Sequence, residues 1–276
     1  MLQAPIITRL YLGQEKMADT KNLVLIKHID NIAIVTLNRP QALNALSAEL
    51  RNSIVQAFKS LAKDERTQVI IITGAGRAFT VGLDLKELGE EIDSVTKRSA
   101  EQIDVAIASC PQPIIGAVNG FAITGGFEIA LMCDFLIAST NAQFADTHAR
   151  VGVVPGWGIS QRLPRLIGIN RAKEVSLTGN YLDAKKALDW GLINQITEPE
   201  DLLTTCIALG KDILSTDPTT RNEIKKIMDQ GWLTNLEKGL AIEREASQKH
   251  RETNLRPEEV AMRRKGIQER GRSQSN

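Results

Sequence analysis

Three short runs constrain this chain more than any other feature: VIIIT (Val69–Thr73), IIGAV (Ile114–Val118) and FLIAS (Phe135–Ser139). Each is apolar almost throughout, carries β-branched residues, and is closed downstream by glycine or polar residues. Runs this short are complete as strands and too short for buried helices, so they predict buried strands. Helical patterns lie between and around them. Ser47 stands ahead of Leu50, Ile54, Phe58 and Leu61, which predicts a capped helix reaching about Lys63. Further helices are predicted around Asp84–Leu88, over Ser94–Ser109, as a short apolar helix after Gly125-Gly126, and from the Pro155–Gly158 turn through Leu166. Upstream, LVLIKHIDNIAIVTLNRP reads as a hairpin turning at Asp30-Asn31 and closed by Pro40.

Strand and helix patterns alternate to about residue 197, which gives an α/β class. From Pro199 the pattern is helical throughout, over Asp201–Leu214, Pro218–Gln230, Leu233–His250 and Pro257–Gln268. The chain therefore reads as an N-terminal extension (1–20), an α/β core (21–198), a helical subdomain (199–268) and a polar tail (269–276). The helical subdomain must pack on its own core or on another subunit.

Composition narrows the function. Net charge is +1 and aromatics are 4%, with no basic stripe and no base-stacking platform, so nucleic acid is an unexpected partner. No run of about 18 residues is free of charge or glycine interruptions, so no membrane span is predicted. Cys110, Cys133 and Cys206 lack metal-ligand spacing and suit a reducing compartment. Residues 1–16 lack the cationic start and apolar core of a secretory signal, and RSQSN carries no SKL-type address. The expected location is cytoplasmic, with organellar targeting by residues 1–16 as the alternative.

The stretch GAVNGFAITGGFEIALMCDF (Gly116–Phe135) carries one carboxylate in its middle, Glu128. Burying a carboxylate is costly unless it is paired, protonated or chemically employed. Spacing alone leaves two roles open, a proton-transfer group, or an acid that favours a helix start or pairs with a buried arginine. The glycine-rich loops FTVGLDLK (Phe79–Lys86) and NGFAITGGFE (Asn119–Glu128) each follow a strand. Their glycines serve either tight turns or close backbone approach to an anionic oxygen. TGAGRAF lacks the third glycine of a dinucleotide fingerprint, since Phe79 stands there, and no GK[ST], G-x-S-x-G or HExxH motif occurs. His148, one of three histidines, reads as a loop residue bonded to backbone, and Asp146 two residues earlier can cap or orient some neighbouring group.

GRAFTVGLDLKEL, IIGAVNGFAITGGFEIALMCDFLIAS, QFADTHARVGVVPGWGISQRLPRLIG and LTG, in this order, resemble the enoyl-CoA hydratase/isomerase (crotonase) superfamily. The likeness covers nearly the whole chain after the first twenty or so residues. The DTHARVG…PGWG block is similar to a subgroup of enoyl-CoA hydratases of bacteria and plant peroxisomes. The resemblance implies a crotonase-like ββα spiral with a C-terminal helical trimerisation region, working as a homotrimer or dimer of trimers. It implies that a CoA thioester carbonyl sits between the backbone N–H groups of Leu83 and Gly125. Val81, Gly82, Asp84, Leu85 and Lys86 would line the pantetheine and acyl entry, and the turn holding Ala42 and Asn44 would contact CoA near its adenine. Glu128 falls on the first catalytic glutamate of hydratases.

The second falls on His148, which departs from the family pattern and is carried as a candidate catalytic residue. Thr124 stands where many members have glycine, and Trp157 where the residue is often small. The implied activity is hydration of trans-2-enoyl-CoA to 3-hydroxyacyl-CoA in fatty-acid β-oxidation. The alternatives are a Δ3,Δ2-enoyl-CoA isomerase using Glu128 alone and a CoA-thioester-binding protein. No metal or other cofactor is implied, since coenzyme A belongs to the substrate.

Overall fold

A computed structural model describes residues 22–90 and 103–274. The extension read over 1–20, the start of the helix read over Ser94–Ser109, and the last two residues lie outside the described residues.

The expected hairpin forms from β1 (Val24–Ile29) and β2 (Ile32–Leu37), with Asp30 in the left-handed region at φ 52°. A 3-10 turn (Pro40–Ala42) leads to α1 (Ala48–Leu61), where the Ser47 hydroxyl accepts from the Leu50 N–H at 3.2 Å. A strand–strand–helix unit then recurs. It comprises β3 (Val69–Gly74), β4 (Ala78–Thr80) and α2 (Leu85–Glu90). After α3 (Ile103–Ala108) come β5 (Ile114–Val118), β6 (Phe121–Ile123) and α4 (Gly125–Leu131). The next unit is β7 (Phe135–Ser139), β8 (Gln143–Ala145) and α5 (His148–Val151). The remaining elements of this part are α6 (Ile159–Ile167), α7 (Ile169–Thr178), β9 (Leu182–Asp183), α8 (Ala184–Asp189), β10 (Gln195–Thr197) and α9 (Leu202–Leu214).

The first strand of each unit joins a six-stranded sheet of order β1-β2-β3-β5-β7-β10, parallel except at the hairpin. The second joins a four-stranded sheet of order β4-β6-β8-β9. The middle strands of the large sheet, β2, β3, β5 and β7, are buried on both faces, which is why they read as continuous apolar runs. Alternate residues serve alternate faces. Val35, Ile70 and Ile72 face the main core with α1, whereas Ile34, Val69 and Ile71 face a second cluster with Leu202, Cys206 and Ile207 of α9.

Two findings differ from the sequence reading. The stretches read as loops, Phe79–Lys86 and Asn119–Glu128, contain strands of the small sheet. At three residues these strands are too short to display a period and are defined by pairing alone. The break expected near residue 199 falls instead between Ser215 and Thr216, because α9 carries its apolar face onto the large sheet.

The second unit, from Thr216 onward, holds α10 (Pro218–Trp232), α11 (Leu236–Thr253) and α12 (Pro257–Gln274). Asp217 and Asn235 cap α10 and α11 by accepting from Thr220 and Lys238 N–H groups. Gly231 and Gly239 let α10 and α11 approach backbone to backbone. Among the described residues no helix is long and apolar enough to cross a membrane.

Candidate active site

The small sheet builds the site. β4 pairs parallel to β6, and β6 parallel to β8, so the segments leaving their C-terminal ends lie side by side. In parallel α/β sheets such segments are where ligands are taken. After β4 comes Gly82-Leu83, after β6 Thr124-Gly125, and after β8 Asp146 to His148.

Gly82 and Gly125 touch. Gly82 adopts φ 84°, and a Cβ there would lie 2.9 Å from Gly125 N and 2.8 Å from the Ile123 carbonyl oxygen, so only glycine fits. Leu46 bridges this strip, its N–H donating to Gly82 O at 2.8 Å while Asp84 N–H donates to Leu46 O at 3.4 Å. That ladder uses the residues either side of Leu83 and leaves the Leu83 N–H outside it. Gly125 opens α4, so its N–H has no acceptor within the helix. Two backbone donors thus stand on touching loops.

Glu128 sits one turn into α4, 2% exposed. Among the described residues no arginine pairs with it. Its Oε1 accepts from the Trp157 N–H at 2.8 Å and the Ile159 N–H at 3.3 Å. Its Oε2 faces His148 Nε2 at 3.6 Å. Burial pushes the Glu128 carboxyl above the usual carboxylate range, against the two backbone donors and His148, which favour the anion. A carboxyl raised in this way is suited to taking up and returning a proton.

His148 opens the short helix α5, where the sequence reading had a loop. Its ring is buried at 7% exposure, with Nδ1 2.6 Å from Asp146 Oδ1. Burial pushes the Asp146 carboxyl up, but hydrogen bonds from His148 and from the Ser176 hydroxyl of α7 outweigh it, and the group stays below the usual range. The structure thus brings Glu128 and His148 together and adds Asp146 behind them. The backbone donors of Trp157 and Ile159, and the Ser176 hydroxyl, were not legible: backbone amides carry no sequence signature, and Ser176 lies in another element.

The other candidates lie in the β2–α1 connection and in the segment after β4. Asn44 is fully buried, and its side-chain amide is engaged by backbone, donating to Ala75, Ala78 and Phe79 oxygens and accepting from Arg39 N–H. It therefore shapes the turn that carries Ala42. Val81 N–H donates to Leu43 O at 3.3 Å. Asp84 pairs with Arg39 at 2.6 Å and caps the Lys86 N–H, while Leu85 and Lys86 are exposed. Thr124 takes φ 54°, ψ −112°, a glycine-like conformation, and its hydroxyl bonds that of Thr147 at 2.5 Å. Trp157 is buried, its ring edge against Gly125. Burial pushes the Cys206 thiol up to about 12, which marks it as a core residue rather than a nucleophile. Among the described residues no cluster of three or more His, Cys, Asp or Glu side chains is arranged to hold a metal ion.

The chain is 40% identical over 227 residues to a probable peroxisomal enoyl-CoA hydratase 1 of Arabidopsis thaliana, covering 82% of this chain and 86% of that protein. It is 34% identical over 230 residues to the short-chain-enoyl-CoA hydratase of Clostridium acetobutylicum, covering 82% and 88%. The fold superposes on the crystal structure of an enoyl-CoA hydratase from Bacillus anthracis with a TM-score of 0.80, at 32% identity over 84% of this chain and 92% of that one. The sequence profile of the enoyl-CoA hydratase/isomerase family matches residues 27–269, and this chain belongs to that family.

Proposed function

We infer that this protein hydrates trans-2-enoyl-CoA thioesters to 3-hydroxyacyl-CoA. The observation that carries the reading is Glu128, buried beside two available backbone donors, with one oxygen fixed by backbone N–H groups and the other turned toward His148. In this reading the thioester oxygen accepts from Leu83 and Gly125 N–H groups, which stabilise the enolate as it forms. Each such donor is worth about 3–4 kcal/mol. Glu128 takes a proton from water as the oxygen bonds to C3, and the same carboxyl or His148 returns a proton to C2. Water is thereby added whole across the double bond. All these groups belong to the protein, and coenzyme A arrives with the substrate.

The experiment is turnover of crotonyl-CoA and 3-hexenoyl-CoA by wild type and Glu128→Gln. Gln keeps the size but cannot take the proton, so hydration falls by about a hundredfold or more while acyl-CoA affinity holds. Retention of more than about a tenth of the wild-type rate, roughly 1.4 kcal/mol, removes Glu128 as the base. Turnover of 3-hexenoyl-CoA without hydration of crotonyl-CoA reassigns the protein as an isomerase. Binding without any turnover reassigns it as a thioester-binding protein.

We also propose a homotrimer or dimer of trimers, supported by the exposed apolar side chains of α10 and α11. The reduced cysteines of a chain with no disulfide among its described residues support a cytoplasmic or other reducing compartment.

A further inference from the structure

We propose that Asp146 is a positioning residue for His148, and that the two together behave toward Glu128 as a second carboxylic acid would. The inference rests on the hydratase reading and assigns how this site manages with an imidazole where a glutamate is expected.

Geometry fixes the tautomer. Asp146 Oδ1 lies 2.6 Å from His148 Nδ1 and also accepts the His148 backbone N–H at 3.2 Å. An ionised carboxylate can only accept, so Nδ1 carries hydrogen whatever the state of the ring. Proton exchange is thereby confined to Nε2, the atom that faces Glu128 Oε2 at 3.6 Å. That separation exceeds a hydrogen bond and suits two groups directed at one shared water.

Charge completes the argument. A second glutamate would be negative when ionised and neutral when protonated. The Asp146–His148 pair is negative with a neutral ring and neutral with an imidazolium. A lone histidine would instead alternate between neutral and positive, and in its charged form would hold Glu128 as an inert anion. Asp146 thus restores the charge pattern in which one proton is shared between two sites.

The surroundings leave these groups to one another. Among the described residues, Asp146 and Glu128 are the charged groups paired with the ring, from the end of β8 and from α4. From α7 the neutral Ser176 hydroxyl bonds Asp146. Arg150 of α5 itself lies against Gly179, at the far end of α7. From α6, Arg162 donates to Leu131 O.

The test is Asp146→Asn, which keeps the shape and an accepting oxygen but removes the charge. Hydration of crotonyl-CoA should fall in kcat by about a hundredfold with KM held within about twofold, and the pH limb of kcat should move toward acid. In a His148→Gln background the same substitution should add much less, because Asp146 acts mainly through the ring and only weakly on Glu128 by its own charge. An unchanged rate and profile in Asp146→Asn, or an equal cost in the His148→Gln background, overturns the proposal. Nitrogen NMR of His148 in wild type decides independently of any variant's folding. A ring with hydrogen on Nδ1, whether neutral or doubly protonated, supports the pairing, and a neutral ring with hydrogen on Nε2 alone refutes it. Wild type that turns over no enoyl-CoA would sink the hydratase reading instead, while the NMR result still judges the pair.

Discussion

Trp157 acts through two separate parts. Its backbone N–H donates to Glu128, while its indole, 8% exposed, packs in the main core with its edge on Gly125. A Cβ built on Gly125 would meet the ring at 3.0 Å and Leu46 at 3.6 Å, so the indole forms a wall directly behind the proposed carbonyl site. Trp157→Ala keeps the backbone donor and removes the wall. Truncation of a buried tryptophan costs about 3–5 kcal/mol, so the melting temperature should drop. The rate effect separates wall from filler: kcat/KM for longer acyl chains should rise relative to crotonyl-CoA. An equal loss at every chain length would show that the indole only packs. Sequence alone left both roles open, since a Pro-Gly-Trp turn says nothing of which surface the ring meets. Glu128, in contrast, was legible, because a solitary carboxylate in an apolar stretch is costly wherever it folds. Thr124 was legible only as a departure from glycine. Its positive φ and its bond to Thr147 depend on β6 and β8 being neighbours.

Among the elements, the segment after β4 is held with unusual thoroughness for so short a piece. Leu46 bridges it on both sides, Arg39 pairs with Asp84 and donates to Ala45 O, and Glu87 accepts from Ala48 N–H. These ties link the β2–α1 connection to the strip carrying Leu83, so the Leu83 N–H is aimed by residues far from it in sequence. Asp84→Asn weakens the Arg39 tie without changing shape. Catalysis should fall by about tenfold, mainly in kcat, as the donor loses its alignment. The same carboxyl gives a signature in stability. Burial pushes Asp84 up, but Arg39 and the Lys86 and Glu87 backbone donors hold it below the usual range. Folding therefore favours its anion. The stabilisation is complete above the ordinary carboxylate range and is lost as pH falls through the lower folded value. Urea melts should show wild type above Asp84→Asn at neutral pH and the gap closing in acid. A constant gap would assign the difference to packing. At this scale the long elements were legible from their periods, whereas β4, β6 and β8 were not, although they align the site.

On the scale of the whole molecule, the unit beginning at Thr216 carries a row of exposed apolar side chains. α11 buries no residue, and α10 buries only Arg221. Ile224, Met228 and Trp232 repeat every four residues along α10, and Leu233, Leu236 and Leu240 continue the apolar surface into α11. Leu233 and Leu236 are 86% and 78% exposed. Exposed apolar residues this numerous and periodic are the kind of surface that proteins use for association. Burying each aliphatic side chain would contribute roughly 1.5–3 kcal/mol, so several together can offset the entropy of association. The covering surface we expect is that of other copies of this chain. Sequence made the stripe legible through its spacing but could not say which face of which helix stays open. Light scattering at micromolar concentration should give three or six times the mass of one chain. Leu236→Glu with Leu240→Glu places charge on the stripe, and the mass should fall toward that of a single chain. Because Glu128, His148 and Asp146 all lie in the first unit, hydration by the dissociated variant measures whether assembly matters to the site. A wild-type mass equal to one chain would overturn the assembly, and an undiminished oligomer in the variant would move the interface away from α11.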